Sequence, residues 1–252
     1  MKDPMAMACI NMKGVLRSLT YLCSLDAQAA EIVKDADITV QFSVKNGPAA
    51  RLRFDHGQCS FEDGKGNADI KLYFSTPEKF NALMDGNGMP TILKGFTKLN
   101  FLLKDFGKLS DRLAYYLRPD PDTEQDETFK EISTLLTFYT AFNALPEIGM
   151  RDPIGAQVIK KAANGQLCVS IDGTEHAVRV KVDKGLMHVL KESDGTPEMY
   201  LQFSDIGEVG DVLNGRTDFL TAIGLSGVRM SGYIPVMMSV EHLVPLLGAY
   251  LK

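Results

Sequence analysis

The chain of 252 residues is 45% hydrophobic and 23% charged, a globular composition long enough for one large domain or two of ordinary size. Its net charge of −5 argues against nucleic acid as a partner, because neutralising phosphates needs a basic surface. No apolar run approaches the roughly 20 residues of a membrane helix, and Cys9, Cys23, Cys59 and Cys168 are spaced for neither a zinc site nor a disulfide framework.

The opening MKDPMAMACINMKG has no apolar core or cleavage site of a signal peptide, so the expected compartment is the cytoplasm. A helical segment is predicted over roughly 12–35, with Val15, Leu16, Leu19 and Leu22 on one face. ITVQFSV (38–44) reads as a strand. RLRFDHG (51–57) alternates charged and apolar positions and ends in an Asp-x-Gly hairpin signal. IKLYFSTPEKFNALMDG (70–86) parses as strand, cap, helix and stop: Leu72 and Phe74 share a face, Ser75 and Glu78 form a capping box, Phe80, Leu83 and Met84 make a buried stripe, and Gly86 ends the helix. LNF (99–101) alternates as a short strand. LKDFGKLSDRLAYYL (103–117) then places Lys104, Lys108 and Arg112 opposite Phe106, Leu109, Leu113 and Tyr116. That basic face fits solvation, or transient contact with an anionic membrane.

RPDPDTEQDE (118–127) is Pro-rich and acidic, an exposed linker and the expected domain boundary. Residues 1–118 carry a net charge of +3 and residues 119–252 carry −8. Beyond the linker a helical stretch over 124–163 is expected to break at Pro146 and Pro153, with Phe129, Ile132, Leu136, Tyr139 and Phe142 on one stripe. QLCVSI (166–171) reads as a strand. The order of features then repeats. RVKVDKG (179–185) matches RLRFDHG at a shift of 128, and MYLQFSDIGEVGDVLNG (199–215) matches 70–86 at a shift of 129, with Ser204, Val209, Val212, Leu213 and Gly215 in the equivalent places.

GLSGVRMSG (224–232) sets three glycines beside Ser226 and Arg229. It completes neither a phosphate loop nor a nucleophile elbow: no Gly-Lys-Ser/Thr follows, and Ser226 sits in G-x-S-G, one residue short of G-x-S-x-G. At the shift of 129 it falls on GFTKLNFLL (95–103), so Gly224 meets Gly95 while Gly227 and Gly232 meet Lys98 and Leu103. A turn leading into a strand, VRM (228–230), is the expectation. PVMMSVEHLVPLLGAYL (235–251) has little polar face and a Pro245 that should kink or break it, which suits packing between copies, a homodimer interface or a cavity mouth. His56, His176, His188 and His242 do not cluster at ligand spacing, so neither a metal site, a cofactor nor a catalytic residue is assigned.

A strand, a capped short helix, the Gly-x-x-x-x-Gly of Gly227 to Gly232 and the hairpins at Asp55-His56-Gly57 and Asp183-Lys184-Gly185 together resemble the sterol carrier protein type 2 family. The resemblance extends over two tandem copies, about 11–118 and 150–252, in domains 1–118 and 119–252. It implies an α+β fold in which each copy is a mostly antiparallel, roughly five-stranded sheet covered by helices, with an apolar tunnel between the layers. The side chains then expected to line the tunnels are Phe80, Leu83, Ile92, Phe96 and Phe101 in copy one. In copy two they are Val209, Leu213, Phe219, Leu225, Met230, Met237 and Met238, the methionines adapting to irregular ligands. The implied function is non-catalytic binding or transfer of a fatty acid, acyl-CoA or sterol-like lipid. The alternative is an interaction module whose tunnels are filled by side chains and whose apolar C-terminal helix serves assembly.

Overall fold

The computed structural model describes residues 2–191 and 194–251. It divides after Leu136 into two compact units. Helices and sheets segregate within each, so the fold class is α+β.

The first unit opens with α1 (Pro4–Ile10), where Asp3 caps the helix by accepting from the Ala6 N–H at 2.7 Å. The chain continues through a π turn (Asn11–Val15) and a 3-10 turn (Leu16–Ser18) into α2 (Leu19–Leu25) and then α3 (Ala27–Ile32). The single helix expected over 12–35 therefore starts earlier and is cut at Asp26. That residue is extended and its carboxylate accepts from the Gln28 N–H at 3.0 Å, starting α3 afresh. The strands are β1 (Asp37–Val44), β2 (Ala49–Asp55), β3 (Gln58–Asp63), β4 (Ile70–Phe74) and, after α4 (Pro77–Met84), β5 (Thr91–Lys94). Short turns lead to α5 (Gly107–Leu117) and to α6 (Glu127–Arg151), within which the division between units falls.

The second unit continues with α7 (Pro153–Lys161), β6 (Gly165–Ile171), β7 (Ala177–Asp183), β8 (Leu186–Leu190), β9 (Met199–Phe203), α8 (Ile206–Leu213), α9 (Phe219–Gly224), β10 (Val228–Gly232), α10 (Ile234–Glu241) and α11 (Val244–Leu251). The break expected at Pro153 is present, but Pro146 lies inside α6 without ending it. An interior proline costs about 3 kcal/mol. Against it, Ala144, Leu145 and Ile148 are fully buried, and two such large side chains together contribute about as much or more, at ~1.5–3 kcal/mol each.

The two sheets have one topology. The first runs β3-β2-β1-β4-β5 and the second, from its other edge, β8-β7-β6-β9-β10. In each the central pair is parallel (β1 with β4, β6 with β9) and the other three pairings are antiparallel. Small details recur as well. The second hairpin turns at His56-Gly57 in one sheet and at Lys184-Gly185 in the other, all four residues at positive φ, as a two-residue turn matched to strand twist requires. Asp69 receives the Thr39 N–H at 2.9 Å where Glu198 receives the Gln166 N–H at 2.5 Å, tying the fourth strand to the start of the first. The Lys98 ammonium and that N–H together hold the Asp69 carboxyl below its ordinary range.

Three sequence expectations are corrected here. The helix caps are Thr76 and Asp205, one residue after Ser75 and Ser204, because these are the residues whose side chains accept the N–H three positions on. LNF (99–101) is not a strand: it follows a 3-10 turn (Phe96–Lys98) and runs into a π turn (Phe101–Phe106), and the fifth strand is Thr91–Lys94 instead. Consequently Gly95 is matched by Gly232, not Gly224. Both have positive φ, and a Cβ on Gly95 would lie 2.7 Å from the Asp69 carbonyl oxygen, whereas one on Gly232 would overlap that of Glu198. The constant shift fails because α9 occupies the place of a short loop in the first unit.

A helix beyond the fifth strand reaches back to a buried aspartate in both units, α5 in the first and α11 in the second, with different chemistry. In the first, Arg112 of α5 pairs with Asp26. Arg112 is thus withdrawn from the basic face expected for 103–117. In the second, the Tyr250 hydroxyl donates to Asp152 at 2.9 Å, while the same carboxylate caps α7 through the Ile154 and Gly155 N–H groups at 2.8 and 2.9 Å. Tyr250→Phe leaves one oxygen of a buried carboxylate short of a donor. The expected loss is about 1–3 kcal/mol, read as a lower urea midpoint for the second unit.

Candidate functional site

The inner face of the first sheet is covered by side chains. Val40, Phe42, Leu52, Phe54, Ile70, Leu72 and Phe74 are buried beneath Met12, Leu16, Leu19, Phe80 and Leu109 of the helical layer. Aromatic rings fill the centre: Phe54 lies 5.3 Å from Phe101 and 6.2 Å from Phe106, Phe42 lies 5.7 Å from Phe106, and Phe74 lies 5.1 Å from Phe80.

The second unit has a groove of about 610 Å³ wrapped around its edge strand, β10. Three strands supply its polar wall. Ser170 of β6, Gln202 of β9 and Arg229 of β10 stand in one row across the sheet, with Tyr200 beside Ser231 in another. Asp172 orients two of these groups, accepting from the Gln202 amide at 3.1 Å and pairing with the Arg229 guanidinium. The apolar lining comes from Val228 and Met230, which alternate away from Arg229 on the same strand, and from Ile223 at the end of α9.

Ser226 forms the lip of the groove and explains the glycine-rich stretch. α9 ends in a Schellman motif, with the Gly227 N–H bonded to the Ala222 carbonyl at 2.9 Å and the Ser226 N–H to that of Ile223 at 3.0 Å. Ser226 holds the left-handed position at φ 64°, where the matching turns of α4 and α8 use Gly86 and Gly215. A non-glycine there costs on the order of 1 kcal/mol. Gly227 leaves room for the Glu208 carboxylate, which a Cβ would overlap. The three glycines are accordingly a helix end, a close approach and a strand end.

The residues expected to line tunnels are dispersed. Phe80, Leu83, Ile92 and Phe101 share the core cluster of the first unit, Phe80 fully buried, while Phe96 stands exposed after the left-handed Gly95. Val209 and Met237 are buried in the second unit, and Leu213 and Phe219 are half-buried. Met230 alone of the twelve lines the groove. Leu225 is exposed at the C-cap of α9, and Met238 is exposed because its neighbour Met237 takes the inward face of α10. Ser170, Tyr200, Gln202, Ile223, Arg229 and Ser231 were not anticipated. The strand residues among them meet through two pairings of β9, parallel with β6 and antiparallel with β10, for which local sequence carries no signal.

Among the described residues no helix is long and apolar enough to cross a membrane, and no three His, Cys, Asp or Glu side chains stand together as metal ligands.

No family model and no curated protein matches the chain. Solved structures do. A UbiJ-SCP2 ubiquinone synthesis protein aligns at 18% identity over 42% of this chain and 85% of its own, with a TM-score of 0.34. The sterol carrier protein domain 2 of Helicoverpa armigera aligns at 15% identity over 45% and 89%, with a TM-score of 0.37. Sterol carrier protein 2 of Yarrowia lipolytica, in its apo form, aligns at 16% over 45% and 91%, with a TM-score of 0.31. The chain is similar in structure to sterol carrier protein domains.

Proposed function

We propose that the chain is a non-catalytic carrier of an apolar or amphiphilic small molecule, of the class of fatty acids, acyl-CoA or sterol-like lipids. It is read as two tandem sterol-carrier-like domains of which the second takes the ligand. The observation that carries this reading is the groove at β10. Its volume lies within the ~300–1,000 Å³ of small-molecule sites, and it joins an apolar wall to a few convergent polar groups, the usual makeup of such sites. An acyl or ring portion would lie against Met230 and Ile223, and a polar head would meet Arg229, Ser231 and Tyr200. The first domain fits the alternative of an interaction module, because the rings of Phe42, Phe54, Phe101 and Phe106 occupy its centre.

Native mass spectrometry of the purified protein, followed by solvent extraction, should find a lipid in stoichiometric amount, or its uptake after incubation with fatty acids and sterols. Met230→Glu places a charge on the apolar wall and should weaken uptake at least tenfold while leaving the unfolding midpoint of the first unit unchanged. A protein that neither carries nor takes up any of these lipids would overturn the reading.

A further inference from the structure

Between α4 and α5 the first unit holds four large apolar side chains in solvent: Met89 is 88% exposed, Leu93 58%, Phe96 66% and Leu103 80%. Single exposed apolar residues are ordinary. A second run, Leu220, Leu225, Tyr233 and Ile234, is also exposed, but only the first lies in a run of lysines. The backbone turns each of the last three outward. Leu93 sits at a β-bulge, skipped by a register in which Lys71 faces Lys94 and Leu72 faces Ile92, so it is offered to no partner across the strand. Phe96 directly follows Gly95, whose left-handed conformation redirects the chain at the end of β5. Leu103 lies in the π turn whose Phe101 and Phe106 are anchored on Phe54 and Phe42. With those two rings held inside, Leu103 is left on the outer side.

The same segment is basic. Lys94, Lys98, Lys104 and Lys108 are all exposed, and Asp105 is the one acid among residues 89–108, a local charge of +3 in a chain of −5. Lys98 is answered by Asp69 and Lys94 by the Ala68 carbonyl, whereas Lys104 and Lys108 have no ion pair among the described residues. We infer that this segment is a docking surface for an anionic lipid bilayer, with Met89, Leu93, Phe96 and Leu103 entering the acyl boundary and the lysines lying at the headgroups. Charge complementarity favours an anionic surface. A bilayer also accepts apolar side chains that project singly from turns, where a protein partner would need a pocket for each. The inference does not rest on ligand binding by the second unit.

The test is flotation of the full chain with vesicles of phosphatidylcholine alone, or of phosphatidylcholine with about one-third phosphatidylglycerol. The wild type should float with the anionic vesicles at low salt, and at least tenfold less with the neutral ones or in high salt. The doubly substituted Leu93→Ser, Phe96→Ser and, separately, Lys104→Glu, Lys108→Glu proteins should each lose at least tenfold of that binding. Both alter exposed positions, and circular dichroism with urea unfolding confirms that each remains folded. Equal binding to neutral vesicles, wild-type binding by either variant, or no flotation by the wild type would each overturn the inference.

Discussion

Phe54→Ala should destabilise the first unit by about 3–5 kcal/mol, a large part of the ~5–15 kcal/mol typical of a whole domain. Phe54 is fully buried on β2, and its ring is shared by Phe101 and Phe106, which come from one π turn. Truncation therefore opens a cavity and removes the common support of that turn. Urea unfolding of the full chain, followed by circular dichroism, should show an early transition for the first unit with the second unit's transition in place. A loss below about 1 kcal/mol would mean that the rings border an empty volume and do not fill it. That outcome would return the first unit to the ligand-binding reading.

The second large effect is expected at Arg112. Asp26 is 5% exposed, caps α3 and receives two nitrogens of the Arg112 guanidinium, one at 3.1 Å; that nitrogen also donates to the Tyr116 hydroxyl at 3.2 Å. The hydrogen bond to Asp26 is the main reason that the basicity of Arg112 is raised. Arg112→Ala leaves a buried carboxylate without its cation, and the expected loss is about 3–5 kcal/mol. Arg112→Lys should recover only part of it, since an ammonium cannot reproduce the two-pronged contact. Pairing Arg112→Met with Asp26→Asn should be less damaging than the sum of the two single changes. Additivity in that double-mutant cycle would show that the pair is not coupled.

Much of the local structure was legible from short-range rules. Asp55-His56-Gly57 and Asp183-Lys184-Gly185 announced their hairpins because a two-residue turn with both φ positive selects few residues, and Gly86 and Gly215 announced helix ends for the same reason. Alternation along 51–55 and 179–183 marked the buried faces of β2 and β7. What failed depended on tertiary contact. A constant offset placed the fifth strand of the first unit at Leu99–Phe101, when the equivalence of Gly95 with Gly232 is visible only from what each glycine presses against. Pro146 was read by its backbone defect, which burial of its neighbours outweighs. Of the groove the sequence named Met230 alone, for its apolar character and as a tunnel residue; Arg229 and Ser170 lie on the polar face of strands whose neighbours the sequence does not name.

The shared strand order also bears on how the chain reaches its native state. In each sheet the fourth strand lies parallel to the first, a pairing that spans the two intervening antiparallel strands. During refolding from denaturant both templates exist at once, and β4 and β9 each meet two hairpins of the same hand, the setting in which repeated domains exchange elements. The discrimination rests on side chains: β1 offers Val40, Phe42 and Val44 where β6 offers Leu167, Val169 and Ile171. On the ribosome the ambiguity is absent, because β4 emerges before β6 has been made. Vectorial synthesis thus gives this chain an ordering that dilution from urea does not.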